Sequence, residues 1–236
     1  MLYNVEKQKE LNQMKPTDPL FPYQNLFITA RPGMGASTLV ANIVNKYLDE
    51  GKKCLIFDSE TRAFLSYIER ARIIKEKTNI DSIRSFSMFE EYGNLTVTFH
   101  PIIDKESLLL VIEEKDYDVI VYEEAPYLFL KNQTKELIEL AKELRRRGKI
   151  FIFVTHLKRR NNPFTNREKN TPSISRYRNA LQHFDATAIV YRNCYYEDFK
   201  KADEDIEEIR IYERGKKKYC AVPVEFDFQH QRVTRK

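Results

Sequence analysis

Short apolar runs recur along the chain at residues 26–30, 54–57, 95–99, 119–122, 150–154 and 188–191. Between them lie stretches with helical spacing of apolar residues. The clearest is 134–147, where Leu137, Leu140, Ala141 and Leu144 share one face and Gly148 marks the end. Strand-length runs alternating with amphipathic helices predict βα units on a mostly parallel, twisted sheet flanked by helices. After Asp205 the pattern shortens to two strands, 209–214 and 219–226, separated by Gly215 and three lysines. This predicts an appended C-terminal β-hairpin. The first 22 residues are polar with scattered Leu2, Val5, Leu11 and Met14, and Pro16, Pro19 and Pro22 prevent a continuous helix into the body. They read as an N-terminal arm or linker, with residues 23–236 as one domain. A chain of 236 residues is long enough for one packed domain and short for two.

The turn after the first run carries the most pointed chemistry. It reads Ala30-Arg31-Pro32-Gly33-Met34-Gly35-Ala36-Ser37-Thr38 and leads into an apolar helix beginning near Leu39. A phosphate-binding loop needs small residues, so that backbone N–H groups wrap the phosphates, and a helix N-terminus behind them. It also needs a lysine on the β- and γ-phosphates and a Ser or Thr on Mg²⁺. All but the lysine is present, and Ala36 stands in its place. A tight strand-to-helix turn containing glycine is also common in α/β proteins, so the loop alone leaves both readings open.

The wider sequence resembles the motor domain of DnaB-type replicative DNA helicases from about Leu26 to Phe228. The Ala-Arg-Pro lead-in, Leu55-Ile56-Phe57-Asp58-Ser59-Glu60, the acid-ended run Val119–Glu123, and Phe153-Val154-Thr155-His156 follow that family's order. So do Pro172–Arg178, Asp185-Ala186, Tyr191-Arg192, Tyr195-Tyr196 and the closing segment 208–227. The resemblance implies a RecA-like P-loop NTPase fold, ATP and Mg²⁺ as cofactors, and a hexameric ring of identical chains. It also implies single-stranded DNA as partner, with other replication proteins. The family's N-terminal collar has no counterpart in this chain.

By the same resemblance, Arg31, Pro32, Gly33, Met34, Gly35, Ala36, Ser37 and Thr38 cradle the nucleotide. Ser37 and Glu123 hold the metal, and Glu60 polarises the attacking water. His156 senses the γ-phosphate, and Arg214 acts as an arginine finger on a neighbour, with Lys216 or Lys218 beside it. Each has an ordinary alternative: an acid at a helix start, a solvated Glu123–Glu124 strand end, a buried polar histidine, a hairpin surface charge. Lys158, Arg159, Arg160, Arg167, Arg176 and Arg178, with Lys169, form a basic loop facing DNA phosphates. Phe164 and Tyr177 stack on bases or pack as loop anchors.

Ala36 has two explanations: a lysine replaced to block hydrolysis, which the intact serine and glutamate favour, or a naturally degenerate ATPase. Either way, hydrolysis is expected to be impaired. The competing function is a nucleotide-gated DNA-binding or helicase-loading subunit without turnover; a recombinase or packaging ATPase is a third. The polar N-terminus lacks a secretory apolar region, and no run spans a membrane. Cys54, Cys194 and Cys220 form no CxxC pair and read as reduced, packed thiols, so a cytoplasmic location is expected. The net charge of +5 adds little by itself.

Overall fold

The computed structural model describes residues 23–58, 67–77, 90–99, 103–124, 133–156, 177–192, 206–216 and 218–236. In chain order the elements are β1 (Asn25–Ala30), α1 (Ala36–Asp49), β2 (Cys54–Asp58), α2 (Tyr67–Glu76), β3 (Glu90–Tyr92), β4 (Leu95–Phe99), α3 (Lys105–Lys115) and β5 (Val119–Glu124). Then come α4 (Gln133–Arg146), β6 (Ile150–His156), the single turn α5 (Arg178–Leu181), β7 (Ala186–Arg192), β8 (Glu207–Glu213), β9 (Cys220–Asp227) and β10 (Arg232–Arg235).

The strands form one sheet of ten in the order β10-β9-β8-β7-β1-β6-β5-β2-β4-β3. The six apolar runs are its parallel centre, β7-β1-β6-β5-β2-β4. Antiparallel strands close both edges, β3 on β4 and the β8-β9-β10 meander on β7. Side chains alternate across the sheet, so each central strand feeds two cores. Leu26, Ile28, Val121, Ile152 and Val154 pack under α1 and α2. Phe27, Ile120, Tyr122, Phe151 and Phe153 pack under α3, α4 and α5. This is the RecA-like α/β architecture, with the antiparallel C-terminal hairpin extended by a third strand.

Three details differ from the sequence reading. Helix α1 begins at Ala36 rather than near Leu39, because Gly35 caps it and accepts the first helical bond from the Leu39 N–H (2.9 Å). Strands β3 and β10 add to the expected set: Glu-Glu-Tyr and Arg-Val-Thr-Arg are too polar to signal themselves, and each lies at a sheet edge. Cys54 is buried, as expected of a packed thiol, whereas Cys220 is exposed at the start of β9. Among the described residues, no helix is long and apolar enough to cross a membrane.

Candidate nucleotide site

Register brings three strand ends together. β6 pairs with β1 on one side and β5 on the other, which sets Ala30 beside His156 and Glu123 beside Val154. The loop between β1 and α1 therefore opens next to the ends of β5 and β6. Gly33 (φ +83°) and Gly35 (φ +100°) carry this loop through left-handed backbone that other residues rarely adopt, and a Met34 N–H to Arg31 carbonyl bond of 3.1 Å closes its first turn. Behind it the fourteen-residue α1 presents its N-terminus.

Glu123 is the hub. Its Oε1 accepts from the Ser37 hydroxyl at 2.8 Å and lies 3.0 Å from His156 Nε2, and its Oε2 accepts from the Tyr67 hydroxyl at 2.5 Å. Glu123 is only 7 % exposed. Burial pushes its carboxyl upward, but the hydrogen bond and charge of His156, with the Tyr67 and Ser37 bonds, outweigh this and hold it below the ordinary range. Tyr67 moves the other way: burial first, then the Glu123 charge, raises its phenol well above normal and keeps it a neutral donor.

The next residue faces the opposite side of the sheet, as strand alternation requires. Glu124 is no solvated strand end. It is 4 % exposed, and its Oε2 accepts from Thr155 Oγ1 at 2.7 Å and from the Tyr177 hydroxyl. Tyr177 is itself buried against Phe27 and Phe153, so of its two sequence readings the packed anchor holds.

The C-terminal meander closes over the loop from the α1 side. The Phe226 and Phe228 rings stack at 5.7 Å and lie against Gly35, and the Arg192 guanidinium sits 4.7 Å from the Phe228 ring centre. The turn after β9 is pinned by Gln231, which is 3 % exposed and has φ +51°. Its Oε1 takes the Thr38 hydroxyl at 3.2 Å and an Arg70 N–H, its carbonyl takes Asn42 Nδ2 at 2.8 Å, and its side-chain amide donates to the Phe228 carbonyl.

Arg214 lies elsewhere. It follows β8, whose last residue, Glu213, pairs with the first residue of β7, so it sits at the opposite end of the sheet from the chain's own loop. It is half-exposed, 3.6 Å from Asp185 and 3.4 Å from the Gln182 carbonyl. Asp185 also holds Arg145 (2.6 Å) and the Asn25 N–H (2.9 Å). Lys216 pairs with Glu213, Lys218 is exposed, and Arg178 is exposed at the start of α5. Glu60, Lys158, Arg159, Arg160, Arg167, Arg176, Phe164 and the arm 1–22 lie outside the described residues.

Of the residues expected at the nucleotide, Ser37, Glu123 and His156 converge, and Arg31 to Thr38 form the loop. A hydroxyl and a carboxylate are the hard oxygen ligands that Mg²⁺ takes, and the left-handed glycines leave backbone beside the helix N-terminus for phosphates. The residues thus fit a magnesium nucleotide in every part but the lysine: Ala36 is buried and offers no charge. Sequence reasoning missed Tyr67, Arg70, Glu124, Gln231, Phe226 and Phe228; only Glu124 carried a signal, its place directly after a strand-end acid.

The fold and this loop define a RecA-like P-loop domain. Among solved structures, one described as an ATPase domain superposes with a TM-score of 0.68 at 15 % identity, covering 99 % of this chain and 96 % of that one. A DnaB-like replicative helicase, solved for its interactions with primase, gives 0.67 at 14 % identity over 98 % of this chain and 66 % of that one. The KaiC-like protein PH0186 of Pyrococcus horikoshii OT3 gives 0.61 at 15 % identity, covering 92 % and 91 %. At these identities the likeness is one of fold. No protein-family model and no curated protein matches the sequence.

Proposed function

We propose that the chain is the ATP-driven motor domain of a ring-forming DNA helicase of DnaB type, with hydrolysis weakened by Ala36. The observation that carries this reading is the convergence of Ser37, Glu123 and His156 beside a loop with two left-handed glycines. When bound, Mg²⁺ neutralises charge on the phosphates during transfer. Ser37 would hold it by its hydroxyl and Glu123 through water, the two side chains being already hydrogen-bonded to each other. His156, already on Glu123, registers whether the γ-phosphate is present. Glu60 polarises the attacking water.

Arg214 supports assembly. An arginine at the far end of the sheet has no phosphate of its own to serve, so its use as a finger requires a neighbouring copy, as in a hexameric ring. Arg178, with Lys158, Arg159, Arg160, Arg167 and Arg176, meets single-stranded DNA phosphates and gives a salt-dependent affinity without reading sequence. Ala36 itself favours a second reading, a nucleotide-gated DNA-binding or loading subunit with no turnover.

One experiment separates the two. The Ala36→Lys protein is assayed for ATPase activity with and without single-stranded DNA, alone and combined with Glu60→Gln. The motor reading expects turnover to rise by orders of magnitude and to be lost again in the Gln variant. Binding of nucleotide and DNA with no turnover in Ala36→Lys selects the second reading, and absence of nucleotide binding in either protein rejects both.

A further inference from the structure

Arg70, on α2, is a half-buried cation with no part in the nucleotide contacts assigned above. Its Nη1 donates to Gln231 Oε1 and, at 3.3 Å, to Thr38 Oγ1. Both acceptors are neutral, and among the described residues it has no carboxylate partner. A guanidinium taken partly out of water is normally paired with an anion. Here its position deepens the deficit. Thr38 lies in the first turn of α1, so Arg70 stands beside a helix N-terminus, where the aligned peptide dipoles already place partial positive charge.

Two neighbours fix it there. Gln231, buried and held by α1 and its own turn, orients the guanidinium from outside. Tyr67, one helical turn earlier on the same face of α2, is bonded to Glu123, so α2 brings Arg70 to the first turn of α1 and Tyr67 to the Ser37–Glu123 pair. Fixed positive charge with no negative partner among the described residues, beside a loop whose own cation position is occupied by buried Ala36, points to an anion that arrives from solution.

We propose that Arg70 is the phosphate-site cation of this chain, supplying from α2 the charge that lysine at position 36 supplies in an ordinary P-loop, with Gln231 as its positioning residue. The proposal rests on the nucleotide reading and deepens it. Arginine suits the task, because its planar fork holds several donors and loses little freedom on engaging phosphate oxygens. The bonds to Gln231 and Thr38 leave the rest of the fork for phosphate.

The test is binding, not turnover. Affinity for magnesium adenosine 5′-(β,γ-imido)triphosphate is measured by displacement of a fluorescent analogue, in the parent, Arg70→Gln, Arg70→Lys, Ala36→Lys and the Ala36→Lys/Arg70→Gln double variant. Thermal unfolding without nucleotide checks that each is folded. Losing one charge-assisted contact should weaken the parent about tenfold to hundredfold in Arg70→Gln, and Arg70→Lys should recover most of it. With lysine restored at position 36, Arg70→Gln should cost less than about threefold.

Unchanged affinity in folded Arg70→Gln overturns the proposal. So does an equal loss in both backgrounds, which would make Arg70 only a clamp for Gln231. Should Arg70→Gln not fold, Arg70→Lys and Ala36→Lys/Arg70→Lys decide: loss of binding in the first that the second does not recover also overturns it. If neither the parent nor Ala36→Lys binds the triphosphate, the nucleotide reading falls and takes this proposal with it.

Discussion

Gly35 is the position where one methyl group tests most of the site's construction. Its φ of +100° puts an L-residue into left-handed backbone, which costs roughly 1–2 kcal/mol. A Cβ built there falls 2.7 and 2.8 Å from two carbons of the Phe226 ring and 3.3 Å from Phe228. Carbon atoms settle at about 3.5–4.0 Å, so the ring must retreat by nearly 1 Å. It has little room: Phe226 is mostly buried, stacked on Phe228, with Arg192 above. Overpacking of this kind costs about 1–3 kcal/mol. Gly35→Ala should therefore lose about 2–5 kcal/mol, a large share of the roughly 5–15 kcal/mol of an ordinary domain.

The two contributions can be separated. Phe226→Leu removes the clashing ring edge but leaves the backbone cost untouched. It should destabilise the parent by about 1–2 kcal/mol as a core truncation, yet be nearly neutral or favourable in Gly35→Ala. Urea unfolding of all four proteins gives the coupling, expected at about 1–3 kcal/mol. A Gly35→Ala protein within about 0.5 kcal/mol of the parent would refute the reasoning, as would additive losses, since either means that the meander does not lie on the loop as described.

Two further perturbations probe the frame around the site. Asp185 is pushed up by burial, but the Arg145 bond, the Asn25 N–H and the charges of Arg145 and Arg214 hold it below its ordinary 3.8. A depressed carboxyl stabilises the fold above its unfolded pKa and loses that contribution as pH falls through the folded value. Asp185→Asn should thus cost about 1–3 kcal/mol at pH 7 in denaturant unfolding, with the gap to the parent closing below about pH 4; a gap constant with pH would exclude the charge as its source. Tyr177→Phe keeps the ring packing and deletes only the hydroxyl on Glu124 and Thr155, so thermal unfolding should show a loss of about 1–3 kcal/mol, and an unchanged midpoint would remove that contact from the account.

The parallel centre of the sheet was legible because its strands are the apolar runs themselves: six stretches with few polar positions leave a sheet buried on both faces as the economical outcome. The loop was legible for a different reason. Its glycines, serine and following helix are contiguous, so local backbone chemistry offers a phosphate loop as one of two open readings. Glu123 and His156 were singled out only by the family resemblance, at the ends of apolar runs, and parallel strands gather such ends on one side. The edges were not legible. Val233 is the lone apolar residue of β10, and β3 opens with two glutamates; edge strands pair on one side only and need no apolar signature.

What the chain pattern could not supply was partnership between distant side chains of ordinary appearance. Tyr67 and Arg70 sit on a helix whose amphipathic spacing explains its burial against α1, but nothing in that spacing says that a phenol and a guanidinium will land on Glu123 and Thr38. Gln231 lies 193 residues from Thr38 and reads as a polar turn residue, although it is nearly closed to solvent. Phe226 follows Val222 and Val224 in alternation, which predicts a core-facing ring and not that its neighbour will be a glycine of the loop with no room for a side chain. The missing lysine shows why this matters. Read along the chain, Ala36 is a deletion of charge from a motif; read across the fold, an arginine from a different helix stands at the same first turn of α1 with no carboxylate of the described residues to neutralise it. A motif records which residues are contiguous, whereas a phosphate would respond to the charges around it, whatever their place in the sequence.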